Sequence, residues 1–157
     1  MDGVEIRQVR YDALVAQALV SAALADLGDR YGGAGDETPV DAAEFDPPRG
    51  AFLVAYLGGE PAGCGAWRSH GSAGGVAELK RMYTAPHARH RGVAHAVLAA
   101  VEESARSLGR TRMILECGDR QPEAIKLYES YGYQRIPNFG YYRNHEGVVS
   151  LGRDLAR

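Results

Sequence analysis

Between Val76 and Leu108 the apolar period of this chain changes, and that change constrains the fold more than any other feature. Val76–Thr84 (V-A-E-L-K-R-M-Y-T) reads as a strand. Pro86 then breaks the chain. From Val93 onward Val97, Leu98, Val101, Ala105 and Leu108 recur at helical spacing, and Gly109 stands where a helix C-terminal glycine belongs. Strand and helix are joined by a basic loop in which Arg89 to Ala94 spell R-x-x-G-x-A. A helix opened in this way aims several backbone N–H groups at one spot, at the positive end of its dipole. Gly92 and the small Ala94 let an anion approach the backbone, and Arg89 and Arg91 add charge-assisted bonds. Taken alone, the pattern fits either a pyrophosphate site or an ordinary helix start with surface arginines. No G-K-[ST] follows, so it is not a Walker A loop, and no G-x-G-x-x-G is present for a dinucleotide.

The remaining elements surround this unit. Val4–Arg10 is an imperfect first strand, and Tyr11–Leu27 has helical apolar spacing with Gly28 as a stop signal. Residues 31–49, rich in Gly and Pro, are irregular, with a short helix around Val40–Phe45. Ala51–Leu57 and Pro61–Arg68, joined through Gly58-Gly59, form a β-hairpin. After a glycine-rich turn at 70–75 and the central strand and helix comes Arg112–Cys117, a further strand. Pro122 opens a helix that ends near Tyr131–Gly132, and Tyr133–Ile136 and Val148–Leu151 complete the strands. This order predicts an α/β (α+β) sheet with helices on its faces. With 157 residues, no repeat and no linker, the expectation is one domain over 1–157.

Composition removes several classes of function. The formal net charge of −2 argues against a chain built to neutralise nucleic-acid backbones. The N-terminus lacks the basic and apolar regions of a signal peptide, and no apolar run approaches the roughly 20 residues that span a bilayer. The expected location is the cytoplasm, with no membrane partner. Cys64 and Cys117 are too few for a disulfide framework and read as reduced strand thiols or, alternatively, a redox pair. His70, His87, His90, His95 and His145 show no metal-ligand spacing, so no metal is expected.

The run Met82-x-Thr84-x-Pro86-x-x-Arg89-x-x-Gly92-x-Ala94 resembles the central acetyl-CoA motif of the GNAT superfamily of N-acetyltransferases. Ala124-x-x-Leu127-Tyr128-x-x-x-Gly132-Tyr133 resembles that family's later A-x-x-L-Y-x-x-x-G-F segment. Together they cover residues 76–136; before Ala51 the resemblance is one of element order. It implies a mixed, mostly antiparallel sheet splayed between its fourth and fifth strands, here Val76–Thr84 and Arg112–Cys117. It also implies acetyl-CoA as cofactor. Backbone groups of Met82, Tyr83 and Thr84 would pair with the pantetheine arm, and the Met82 N–H would face the thioester carbonyl. Arg89, His90, Arg91, Gly92, Val93 and Ala94 would hold the pyrophosphate. Gln121 stands where the family often has an Asn that bonds the pantetheine. Tyr128 matches the tyrosine that points at the CoA sulfur, although its place on an apolar helix face also fits a core aromatic.

Acetyl transfer to an amine needs a base, because only the neutral amine attacks. Glu78, ahead of the motif glycine on the fourth strand, is the first candidate, with Glu116 on the next strand in reserve; the alternative for Glu78 is an ion pair with Arg81 or another strand cation. The acceptor side of such enzymes is shaped by the first helix, the loop after it and the late hairpin. Here Tyr31, Phe139, Tyr141 and Tyr142 are the expected aromatic contacts, joined by Trp67 on the third strand, with Asp26, Asp29, Asp36, Glu37 and Asp41 in the first loop. The alternative is a solvated loop and a packed hairpin. The reading that results is an acetyl-CoA-dependent N-acetyltransferase, monomer or homodimer, acting on a small-molecule primary amine by direct attack in a ternary complex. The alternatives are a protein N-terminal or lysine acetyltransferase and a non-catalytic acyl-CoA sensor.

Overall fold

The computed structural model describes residues 3–156. Within them the chain forms seven strands and three α-helices: β1 (Val4–Val9), α1 (Leu14–Tyr31), β2 (Gly50–Leu57), β3 (Glu60–Ser69), β4 (Val76–Thr84), α2 (Val93–Ser107), β5 (Arg112–Gly118), α3 (Pro122–Ser130), β6 (Gln134–Arg135) and β7 (Val148–Asp154). Short 3-10 turns lie at Ala42–Phe45 and Pro86–Ala88. All strands join one sheet in the order β1-β2-β3-β4-β5-β7-β6, antiparallel except for the β4–β5 pair. None of the helices described is long and apolar enough to cross a membrane.

The sheet carries a helix layer on each face. Val93, Val97, Leu98, Val101 and Ala105 of α2 are at most 1 % exposed and pack with Leu53, Trp67, Leu79, Met113 and Leu151, where α3 adds Tyr128. Each fully buried Val or Leu stabilises the fold by about 1.5–3 kcal/mol. On the other face Ala16, Leu19 and Val20 of α1 cover Phe52, Val54, Cys64 and Ala66, with Tyr11 stacked on Phe45 at 4.8 Å. At the far end of α2 the buried Glu102 carboxylate accepts from Tyr133 Oη at 2.7 Å and Arg153 at 3.3 Å, which ties α2 to the β6–β7 edge.

Several element boundaries differ from the sequence expectation, and those of α1 and β7 have clear physical reasons. Helix α1 begins at Leu14 rather than Tyr11 and runs through Gly28 to Tyr31. Gly28 is a close-approach residue and not a stop: a Cβ there would meet the Gly33 carbonyl at 2.9 Å, where the chain folds back on the helix. The left-handed C-terminal residue is Gly32 (φ 83°), whose N–H bonds the Gly28 carbonyl. Strand β7 runs to Asp154 because it pairs with β5 over the whole of Arg112–Gly118. Its polar end, Arg153-Asp154, carries no apolar signal.

Candidate active site

Strands β4 and β5 pair only over Val76, Ala77 and Glu78 with Arg112, Met113 and Ile114. Beyond that point β5 keeps its other neighbour, β7, and β4 keeps β3, so the sheet opens into a wedge. The far half of β4 is turned by a β-bulge. Cys64 faces Tyr83 and Ala66 faces Lys80, so β4 spends one more residue than β3 over the same span, and Arg81 takes φ 62°. Lys80 and Arg81 therefore both reach the α1 face, where they share Asp36, while Met82 packs on the α2 face and Tyr83 on the α1 face. A non-glycine residue with positive φ costs about 1–3 kcal/mol. The Arg81 guanidinium offsets that through Asp36 at 2.9 Å and the Tyr11 hydroxyl at 3.3 Å.

Past the bulge lies the basic loop. Arg89 Nε donates to the Thr84 carbonyl at 3.3 Å. His90 (φ 63°) and Gly92 (φ 82°) bracket Arg91 in left-handed conformations, and Gly92 caps α2 without any side-chain cap. Such alternation turns successive N–H groups toward one concavity at a helix N-terminus, an arrangement suited to phosphate oxygens. The residues present thus fit a CoA pyrophosphate. Gly92→Glu is expected to weaken acetyl-CoA binding by about 100-fold in equilibrium dialysis, because it forces a side chain into φ 82° and sets a carboxylate against the anion. Unchanged affinity in a folded variant would exclude the loop as the phosphate site.

On the α1 face the wedge deepens into a cavity of about 400 Å³ between the C-terminal turn of α1, the following loop, the end of β5 and residues 142–148. Glu116 projects from β5 into it. Its Oε2 accepts from the Tyr142 N–H at 3.2 Å, and its Oε1 is buried with no hydrogen-bond partner among the described residues. Burial raises its pKa above the ordinary carboxylate value, against the opposing pull of the Tyr142 N–H and the Lys80 charge. Gly140 lies directly over this carboxylate, where any Cβ would collide with it, and Gly118 leaves room in the same way for Tyr31. Ser150, opposite Glu116 in the β5–β7 ladder, is fully buried outside the cavity lining, and its hydroxyl has no hydrogen-bond partner among the described residues. Asp36 Oδ2 accepts from Lys80 Nζ at 2.8 Å and from Arg81, and its Oδ1 from the Thr38 N–H at 2.9 Å. These partners, working against desolvation, hold its pKa at about 2.

The residues named from sequence are distributed unevenly around this site. Tyr31 lines the cavity, and its hydroxyl accepts from the Arg120 N–H at 2.9 Å. Tyr142 lines it as well, but Tyr141 and Phe139 do not: Tyr141 is 47 % exposed and packs edge-on against Tyr142, while Phe139 packs against the His70 ring at 5.3 Å. Trp67 is not at the cavity. It is fully buried on the α2 face, and its Nε1 donates to Ser104 Oγ at 2.9 Å. Of the acids expected in the first loop, Asp26 and Asp29 lie instead on α1, because the helix runs on to Tyr31, and Asp36 and Glu37 line the cavity. Glu78 is buried in an ion pair with Arg68 (3.1 Å), which also holds Glu44 at 2.9 Å; its partner is thus a strand cation other than Arg81. Gln121 lines the inner end of the cavity and accepts from the Gly118 N–H. Tyr128 is buried on the α3 side with no hydrogen bond to its hydroxyl among the described residues, and burial pushes its phenol well above its usual value. Cys64 and Cys117 are free; Cys64 is buried in the α1-face core, whereas the half-buried Cys117 packs beside the α2-face core and lines the cavity, and burial pushes both thiols up to about 12. The sequence reading missed Lys80, a cation at a buried position of an otherwise largely apolar strand.

A wedge-split sheet with an anion cradle on one side and a carboxylate-lined cavity on the other defines a class of acyl-transfer fold. The chain matches the acetyltransferase (GNAT) family over residues 16–133 and belongs to it. It is 34 % identical over 116 residues to an IAA acetyltransferase of Azospirillum brasilense, covering 74 % of each chain. A Klebsiella pneumoniae structure described as an acyl-CoA N-acyltransferase superposes with a TM-score of 0.81 at 28 % identity, over 98 % of both chains. A GNAT acetyltransferase from Elizabethkingia anophelis with acetyl-CoA bound shares the fold at 15 % identity, with a TM-score of 0.69 over 98 % of this chain and 99 % of that one.

Proposed function

We propose that this GNAT-family acetyltransferase transfers the acetyl group of acetyl-CoA to the primary amine of a small molecule in the cytoplasm, by direct attack in a ternary complex. Glu116 acts as the base. The observation that carries the reading is the unpartnered, buried Oε1 of Glu116 at the cavity beside the open wedge. Acetyl-CoA supplies the activated carbonyl and a thiolate leaving group. Glu116 takes a proton from the acceptor ammonium, and burial, by raising its pKa, makes it a stronger base than an ordinary carboxylate. The Met82 N–H, beyond the end of β4–β5 pairing, donates to the oxyanion that develops on the carbonyl. Tyr128, whose burial keeps its phenol protonated, gives its proton to the departing sulfur and regains one from the nitrogen as the neutral amide forms, while the proton on Glu116 passes to solvent. The cysteines are poor acyl carriers, since thiols pushed up to about 12 hold little thiolate at neutral pH.

Glu78 is the other carboxylate candidate, and its pairing with Arg68, together with its absence from the residues that line the cavity, favours a structural role. The test is CoA-thiol release from acetyl-CoA across amines, amino acids, polyamines, aminoglycosides and short peptides, with Tyr128→Phe beside the wild type. One amine class should support release, and the variant should lose about 100-fold in kcat while binding acetyl-CoA normally. An unchanged rate would remove Tyr128 from the mechanism. Acetyl-CoA binding with no release for any acceptor would favour a sensor.

A further inference from the structure

Lys80 and Glu116 each stand two residues beyond the last paired residues of their strands, Glu78 and Ile114. They therefore occupy matching positions on the two lips of the wedge, on the same α1 face, and both line the cavity. Their charges lie close enough to act on one another. Their hydrogen-bonding needs are opposite. Glu116 Oε1 and the neighbouring Ser150 Oγ are buried acceptors with no donor among the described residues. Lys80, 8 % exposed, has three ammonium donors, and the Asp36 carboxylate takes one of them. Asp36 is also saturated, since Arg81 and Thr38 fill its remaining positions. Two buried cations thus share one counter-ion, which leaves one surplus positive charge beside the carboxylate of Glu116.

We infer that the acceptor is a zwitterion of the α-amino acid type, its ammonium held by Glu116 and its carboxylate by Lys80. This rests on the acetyltransferase reading and deepens it. A lone amine would satisfy Glu116 and leave the remaining Lys80 donors unmatched in a buried place, which is costly. A phosphate dianion would exceed the single surplus charge. A zwitterion matches both groups and leaves the net charge of the site unaltered. Glu37 and Glu146 at the exposed rim of the cavity favour neutral or basic side chains on that amino acid over acidic ones.

The test compares kcat/KM on the wild-type enzyme for matched triplets: an amino acid, its carboxamide, and the amine that lacks the carboxyl group, with neutral and basic side chains. The acid should lead by at least ~10-fold, the scale of one charged hydrogen bond. In Lys80→Met the acid-to-amide ratio should fall toward one through a raised KM for the acid, and Lys80→Arg should restore part of it. Equal rates for acid and amide in the wild type would overturn the inference, as would a preference that survives Lys80→Met. Turnover confined to amines without a carboxylate would overturn it and leave the acetyltransferase reading standing. Release of CoA with no amine at all would remove both. The wild-type comparison stands whether or not the variants fold.

Discussion

Glu116→Gln is expected to lower kcat by about 10²–10³-fold while leaving acetyl-CoA affinity unchanged, because it removes the proton acceptor and keeps the shape of the site. The variant retains an oxygen for the Tyr142 N–H, so the segment that covers it stays in place. In the wild type kcat/KM should rise with pH through a pKa above the ordinary carboxylate range, as burial of Glu116 requires. In the variant that limb should disappear. Glu78→Gln serves as the contrast. It loosens the pair with Arg68, which keeps Glu44 as its other partner, and it should lower thermal stability with little effect on the pH profile. A pH limb lost in Glu78→Gln and kept in Glu116→Gln would return the base role to Glu78.

The second large effect concerns stability. Asp36→Asn leaves the ammonium of Lys80 and the guanidinium of Arg81, 8 % and 5 % exposed, without their shared counter-charge. Removing one side of a buried ion network costs about 3–5 kcal/mol. For a domain of this length that corresponds to a fall in Tm of roughly 10 °C, measurable by calorimetry. The pH dependence has a definite sign. The Asp36 pKa is lowered to about 2 from 3.8, so its contribution of about 2 kcal/mol is complete above pH ~4 and is lost as pH falls through 2. The gap in stability between wild type and variant should therefore narrow in acid. A gap that stays constant from pH 6 to pH 2 would mean that the charge on Asp36 is not what holds the network.

Parts of this arrangement were legible in the sequence, and physical reasons separate them from the rest. The β4–loop–α2 unit was visible because the apolar period changes across a proline and a glycine, and the hairpin because Gly58-Gly59 supplies two positive-φ residues in succession. Trp67 was set on the wrong face because residues 62–67 of β3 are all buried, and a strand buried on both sides carries no alternation to reveal parity. Glu78 and Glu116 look alike as single acids within strands. What separates them is that Arg68 falls opposite Glu78 in the β3–β4 register while nothing donates to one oxygen of Glu116. The role of Gly140 is equally silent, since its lack of a side chain matters only where a carboxylate from another strand comes up beneath it.

The bulge at Arg81 has a consequence for how this strand can change over time. It acts as a half-period phase shift: before it, β4 presents Lys80 to one chamber, and after it, Met82 to the opposite layer. Deleting that single residue would restore an even ladder with β3 and relieve the strained backbone. It would leave the faces of the residues that follow as they are, since Arg81 repeats the face of Lys80, but it would strip one of the two cations from Asp36. The even ladder and the doubly paired Asp36 therefore exclude one another at this one position, and the irregularity is inherited together with the anchor that ties the first loop to β4.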